Sequence, residues 1–238
     1  MDSNSLNFGE RVLKFYGQLQ LPKNIPPEFS LIAPHLDKGA QMYMQLFFRK
    51  FFALNEKRIF VLGINPGRFG SGITGVPFTD AVALENACGI PNMSKKRKEL
   101  TSQFIYWFIE SWGGPKIFFE DFFLSAVCPI GFERNGVNRN YYDKEIFGTI
   151  KHYLVSTLKR QCALGAECVA IVLGMGNNQR VFDKLNDEYC FFESVHVLEH
   201  PRFIMQYRRK YVDEYLLKYQ QTFNCALGES ARIRSRAE

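Results

Sequence analysis

The chain lacks most of the marks by which cofactor, metal and membrane proteins are read. Its six cysteines, at 88, 128, 162, 168, 190 and 225, form no C-x-x-C pair and have no histidines at ligand spacing, which sets aside zinc sites and thioredoxin-like redox pairs. Most lie in apolar stretches, as Cys128 and Cys168 do, and read as buried thiols of a reducing cytoplasm. No apolar run approaches the roughly 20 residues of a membrane-spanning helix, and M-D-S-N-S-L-N-F-G-E has no basic region followed by an apolar core. A soluble, non-exported protein is expected, cytoplasmic, and nucleoid-associated in a bacterium or nuclear in a eukaryote. Internal repeats and domain boundaries are missing too. One domain over residues 1–238 follows, with 1–38 as a wrapped N-terminal arm and 226–238 as a basic tail expected to fray.

What is present is a large apolar and aromatic fraction, 46% and 15% of 238 residues, enough for one well-buried α/β core. The formal charge of +6 is modest but suits a polyanionic partner.

The stretch from Ile59 to Asp80, I-F-V-L-G-I-N-P-G-R-F-G-S-G-I-T-G-V-P-F-T-D, concentrates the chemistry. An apolar strand, Ile59 to Leu62, runs into a loop holding five glycines and two prolines, with Asn65 at its mouth. Glycines let backbone N–H groups approach a ligand that a Cβ would repel. In an open α/β sheet such a loop lies at the carboxyl end of a strand, where ligands bind. The spacing fits neither G-x-G-x-x-G nor a phosphate loop ending in G-K-[ST], so a nucleotide-phosphate cradle is disfavoured.

Around this loop the patterning predicts a helix near Leu6 to Gln18 and another over Ala40 to Leu54. Asp80 caps a helix from Ala81 to Cys88. A helix from Lys95 to Trp112 follows, capped by Ser94, whose first turn K-K-R-K opposes the helix dipole. Strands are predicted at Phe123–Cys128, Glu167–Leu173 and Ser194–Leu198, the stretch P-I-G-F-E-R-N-G-V-N-R-N-Y-Y is a loop, and helices cover Asp143–Lys159, Gln179–Tyr189 and Arg208–Phe223. Because helices separate the strands, the fold class is α/β: three layers, α/β/α, around a central, mainly parallel four-stranded sheet.

The run G-I-N-P-G-R-F-G with T-G-V-P-F, and His200-Pro201 after the last strand, resembles the two motifs of the single-strand-selective monofunctional uracil-DNA glycosylases, a branch of the uracil-DNA glycosylase superfamily. The resemblance extends from the helix before Ile59 to the last helix. It implies that Asn65 positions the attacking water, which an amide can orient but not deprotonate, and that His200 stabilises the leaving base. It further implies that Phe78 stacks on the flipped pyrimidine and that Ile64, Pro66 and Gly67 lie beside the base or its water. Taken alone, Asn65 reads first as a loop cap and His200 as a hydrogen-bonded strand-end histidine; it is the motif around them that turns the reading towards catalysis. His196 reads as structural; Asp80 reads as a cap and Glu199 as orienting its neighbourhood.

Two departures matter. Where the family's N-L-C-P strand has an asparagine reading the base, this chain has Ala126, and Ser125 points to the other face of a strand; the base range is thereby opened towards deaminated purines. The family's H-P-S-P-R becomes His200-Pro201-Arg202-Phe203, with Arg202 or Phe203 as the wedge that fills the gap in the stack or Arg202 as a phosphate contact. Three basic groups suit a DNA backbone: Lys95–Lys98, the group Arg202, Arg208, Arg209 and Lys210, and Arg232, Arg234 and Arg236. The second adjoins a motif and ranks first.

The implied activity is monofunctional hydrolysis of uracil, or of 5-hydroxymethyluracil, from single- or double-stranded DNA in base excision repair, by a monomer with no cofactor or metal. No lysine stands at a motif position to form a Schiff base, and the unclustered cysteines argue against the superfamily's iron–sulfur branches. Two other readings stay open: a Rossmann-like oxidoreductase built on Gly174-Met175-Gly176, and a non-catalytic module that binds single-stranded DNA.

Overall fold

The computed structural model describes residues 6–237. Four strands form the central sheet in the order β3-β2-β6-β7: β2 (Arg58–Gly63), β3 (Phe122–Ala126), β6 (Ala166–Leu173) and β7 (Ser194–Leu198). All three pairings are parallel. The α/β class with a four-stranded parallel sheet is borne out. β2 is buried at every position, as a strand covered on both faces should be.

Alternation along the strands sends aromatic rings to opposite layers. Phe122 packs against Trp112 of the segment closing α5 (Leu100–Ser111) and against Phe223 of α10 (Val212–Ala237). Its neighbour Phe123 packs on the other side against Phe8 of α1 (Phe8–Gly17), Phe48 of α2 (Lys38–Phe51) and Phe60. α7 (Lys144–Cys162) lies in this second layer, where Gln161 accepts a hydrogen bond from Ser125.

The stretch expected as a loop after Cys128 is instead a β-hairpin. β4 (Gly131–Arg134) and β5 (Val137–Arg139) pair antiparallel, and β1 (Ser30–Ile32) joins β4 as a third strand. Asn135 and Gly136 make the turn with φ of +52° and +73°, the left-handed pair that a two-residue hairpin needs.

Several helix boundaries move for identifiable reasons. α5 begins at Leu100, not Lys95, and its N-cap position is Glu99, not Ser94; the K-K-R-K run stays outside the helix and escapes its dipole. Asp80 does cap α4 (Ala81–Asn86), accepting from Val82 and Ala83, and its second oxygen accepts the Glu99 N–H at 2.7 Å. The segment 115–121 forms a helix, α6 (Pro115–Asp121), with Pro115 in its first turn. Before α10 there is a separate short helix, α9 (Pro201–Tyr207), capped by His200 with Pro201 in its first turn.

The tail expected to fray continues α10 to Ala237. Ala226 and Ser230 are buried and Arg234 pairs with Glu167 at 3.1 Å, partners that the tail's own composition could not reveal. No described helix is long and apolar enough to cross a membrane. Met1–Ser5, part of the expected arm, lie outside the described residues.

The hairpin is pressed against the glycine loop. A Cβ on Gly131 would fall 2.1 Å from the Pro66 carbonyl oxygen, a backbone atom that cannot rotate away. Gly131→Ala should therefore destabilise the fold by about 1–3 kcal/mol, the usual cost of overpacking, read as a lower urea midpoint with an unchanged slope.

Candidate active site

A cleft of about 550 Å³ opens over the carboxyl ends of β2, β3 and β7, the edge where parallel α/β sheets bind ligands. Ile64, Asn65, Pro66, Gly67, Phe78, Ala126 and His200, far apart in sequence, all line it, as do Arg202 and Phe203.

Asn65 is held on both sides. Its Oδ1 accepts the Tyr141 N–H at 3.0 Å, and its Nδ2 donates to the Arg139 carbonyl at 3.2 Å and the Pro66 carbonyl at 3.3 Å. With both amide hydrogens committed, one Oδ1 lone pair remains to accept from a ligand or water. The clamp extends deeper: buried Tyr141 donates through its hydroxyl to Asn178 Oδ1, and Asn178 Nδ2 donates to the Leu173 carbonyl.

Phe78 lies under the end of β2. Its ring sits so close that a Cβ on Gly63 would fall 2.4 Å from Cζ, so only glycine leaves room for it. Phe78 also adopts φ of +58°, a conformation uncommon for an aromatic residue and often found at functional sites. Its ring centroid stands 6.3 Å from that of His200.

His200 caps α9 with Nδ1, which accepts the Arg202 N–H at 3.2 Å. An imidazole nitrogen that accepts carries no proton, so the neutral ring bears its hydrogen on Nε2. Burial, with Arg202 nearby, lowers the His200 pKa to about 4. The site thus holds a neutral Nε2–H donor at physiological pH.

Polar residues that sequence reasoning did not single out also line the cleft, among them Glu99, Asn138 and Asn140. Burial raises the Glu99 pKa, with Asp80 adding to the rise while Arg202 and Arg97 oppose it. Its carboxylate fills the space that a Cβ on Gly70 would need, 2.0 Å from Oε2. The two asparagines ride on the hairpin strand β5 and its exit. The N-G pair at 135–136 was the signal that could have placed them.

The β3 wall is as apolar as Ala126 suggests. Ser125 does not compensate, because its hydroxyl is bonded to Gln161 Oε1. Arg208 lies 5.6 Å over the Phe203 ring, whereas Arg209 and Lys210 occupy an exposed 3-10 turn beyond α9 and do not line the cleft. His196 pairs with Glu229 at 2.8 Å and Glu199 with Lys218 at 2.8 Å, both securing α10. The glycines at 174 and 176 lead into α8 (Asn177–Tyr189) without reaching the cleft.

The model of the uracil DNA glycosylase superfamily matches residues 49–224. The chain belongs to that superfamily. It is also similar to the crystal structure of wild-type SMUG2 from Pedobacter heparinus, at 36% identity and a TM-score of 0.90 over 92% of this chain and 98% of that one. No curated protein sequence matches significantly. Superfamily membership makes the chain a DNA glycosylase, a hydrolase of DNA repair, and sets the oxidoreductase reading aside. The motif resemblance is borne out over the span expected for it.

Because the folded pKa of His200 lies below the usual 6.5, the folded ring stays neutral as pH falls through 6.5 while the unfolded chain takes up a proton there, so the stability tied to the neutral ring is full above 6.5 and is lost progressively as pH falls from 6.5 to about 4. A 15N NMR titration should find His200 as the neutral Nε2–H tautomer at about pH 5.5; an imidazolium there would contradict the assignment.

Proposed function

We propose that this protein is a monofunctional DNA glycosylase that hydrolyses the N-glycosidic bond of uracil in DNA, with a range reaching 5-hydroxymethyluracil and deaminated purines, in base excision repair. The observation that carries the reading is the meeting of Asn65, Phe78 and His200 in one cleft from opposite ends of the chain.

Breaking the bond builds positive charge on the sugar and negative charge on the departing base, so groups that stabilise the separated charges lower the barrier. The remaining Oδ1 lone pair of Asn65 accepts a hydrogen from the attacking water and turns a water lone pair towards the sugar. It cannot remove the proton, so the reaction proceeds through departure of the base rather than forceful attack. Nε2–H of His200 donates to the pyrimidine O2 as charge collects there. Phe78 stacks on the extruded ring, while Ile64, Pro66 and Gly67 bring main chain close to the base, with Ala126 opposite.

Extrusion leaves a gap in the stack, for which Phe203 is suited: it is 40% exposed on α9 and stands 5.6 Å from the ring of Tyr207, itself 61% exposed. Arg202 at the lip and Arg208, Arg209 and Lys210 beyond it contact the phosphates. The enzyme acts as a monomeric single domain without a metal or organic cofactor.

The test is release of the base from oligonucleotides carrying one uracil, 5-hydroxymethyluracil, hypoxanthine or xanthine, followed by alkali to cut abasic sites. Wild type should cleave the uracil strand. His200→Ala should lose about 10²–10³-fold in rate, the usual effect of removing one such donor, and Asn65→Ala should lose most cleavage while still retarding DNA in a gel. Binding without cleavage of any substrate by wild type would favour a non-catalytic single-strand-binding module.

A further inference from the structure

The match to the superfamily begins at residue 49, yet part of the cleft comes from earlier in the chain. Tyr16, near the end of α1, lines it together with Ser125, Ala126 and Pro129. The helix that carries Tyr16 is docked, not draped. Asn7 and Glu10 close a capping box at its start, the Gly9 N–H donates to the Phe52 carbonyl at 2.8 Å, and Arg11 Nε donates to the Leu164 carbonyl at 2.9 Å. A Cβ on Gly9 would fall 2.4 Å from the Phe48 carbonyl oxygen, so α1 lies against α2 as closely as two backbones allow. The Tyr16 ring is held in turn by Phe48, nearly parallel at 6.2 Å, and by Phe15, edge-on at 5.1 Å.

Tyr16 is only 8% exposed, and among the described residues no protein group hydrogen-bonds to its hydroxyl. The residue spans from an outer hollow between α1 and α2 to the cleft. The Tyr16 phenol and the Cys128 thiol both lie near enough to the Tyr153 phenol to raise its pKa, which places the hydroxyl end of Tyr16 towards the exit of β3. Burial pushes the Tyr16 pKa up, so the hydroxyl keeps its proton at physiological pH. A protonated, unpartnered hydroxyl therefore stands on the side of the cleft where Ala126 offers a methyl and Ser125 is committed to Gln161. A buried hydroxyl without a partner costs free energy, and a ligand edge that supplies the partner removes that cost.

We propose that Tyr16 is a base-reading residue: its hydroxyl hydrogen-bonds the extruded base along the edge that Ala126 leaves unpartnered, so that α1, outside the matched domain, helps to set the base range. The assignment rests on the DNA glycosylase reading. A hydroxyl carries one hydrogen and two lone pairs and turns about its C–O bond. It donates to a ring carbonyl or accepts from a ring N–H, whichever the base presents, whereas a side-chain amide holds its donor and acceptor at fixed places. Uracil, hypoxanthine and xanthine each carry a ring N–H beside a carbonyl and differ in where that pair lies. One rotatable hydroxyl next to a small apolar residue serves all three.

Tyr16→Phe tests this, because it removes the hydroxyl and keeps the ring contacts; its urea midpoint should equal that of wild type. Single-turnover release of uracil and of hypoxanthine should fall about 5–100-fold, the range for leaving a buried polar group unpaired. Binding is measured on single strands whose uracil nucleoside carries a 2′-fluorine, which destabilises positive charge on the sugar and blocks hydrolysis, and on strands with a tetrahydrofuran abasic analogue at the same place. Tyr16→Phe should weaken the first by a similar factor and leave the second unchanged. Tyr153→Phe, which removes another buried, unpartnered hydroxyl that does not line the cleft, should change neither. Rates and affinities equal to those of wild type overturn the assignment. An equal loss on base-bearing and abasic strands also overturns it, since that marks a structural role. If wild type releases no base while Tyr16→Phe still weakens only the uracil strand, the glycosylase reading fails and the base-reading role stands.

Discussion

The side chain of Asn65 sets the spacing of the cleft. Its amide joins the loop after β2 to the chain leaving β5, and through Tyr141 and Asn178 the same chain of hydrogen bonds reaches the end of β6. Each link adds only about 0.5–1.5 kcal/mol net, but breaking one leaves a buried group unpaired at about 1–3 kcal/mol. Such a network is more valuable for holding one geometry than for stability. It also reconciles two readings of Asn65 that the sequence left side by side: the residue ties down its loop, and the tie is what points its remaining lone pair into the cleft.

The same logic governs His200. Capping α9 occupies Nδ1, which forces the proton to Nε2, and burial keeps the ring neutral. A neutral donor gains strength as negative charge develops opposite it, whereas an imidazolium would hold anions of every kind, including phosphates that do not react. On the proposed mechanism, the helix that needs a cap and the reaction that needs a donor are served by opposite edges of one ring. Pro201 in the first turn, with no N–H of its own, leaves the Arg202 N–H as the group that Nδ1 receives.

Much of this was legible in the chain, and the parts that were not share a cause. Strands with near-continuous apolar runs, Ile59–Leu62 and Glu167–Leu173, declare themselves because burial on both faces leaves little choice of residue. The Asn65 loop and His200-Pro201 stood out because glycine, proline and amide chemistry are local. The hairpin was misread although Asn135-Gly136 carried the turn signal, since its strands are short and their polar residues look like loop. Glu99 could not be found at all from its neighbours. Its place depends on Gly67 and Gly70, about thirty positions earlier in the chain, having no Cβ to exclude it. The ordered end of α10 likewise depends on Glu167, a residue of a distant strand.

Hydrogen-bond accounting then locates where a base can be distinguished. The end of β3 is already spent: the Ser125 hydroxyl goes to Gln161, the Ala126 carbonyl accepts from Gln161 Nε2, and the N–H groups of Val127 and Cys128 donate to the Gly63 and Ile64 carbonyls. The Ala126 side chain offers only a methyl. Other polar side chains do line the cleft, among them Glu99, Thr101, Asn138, Asn140 and Gln206, although Asn138 Oδ1 already accepts the Arg68 N–H at 3.3 Å. Specificity built on hydrogen bonds rejects analogues far more sharply than specificity built on apolar fit, so on the proposed reading base discrimination falls to these side chains. Under the proposed function, the Ala126 methyl offers no hydrogen bond to a pyrimidine edge where an asparagine would, which is the physical basis of the proposed range towards deaminated purines.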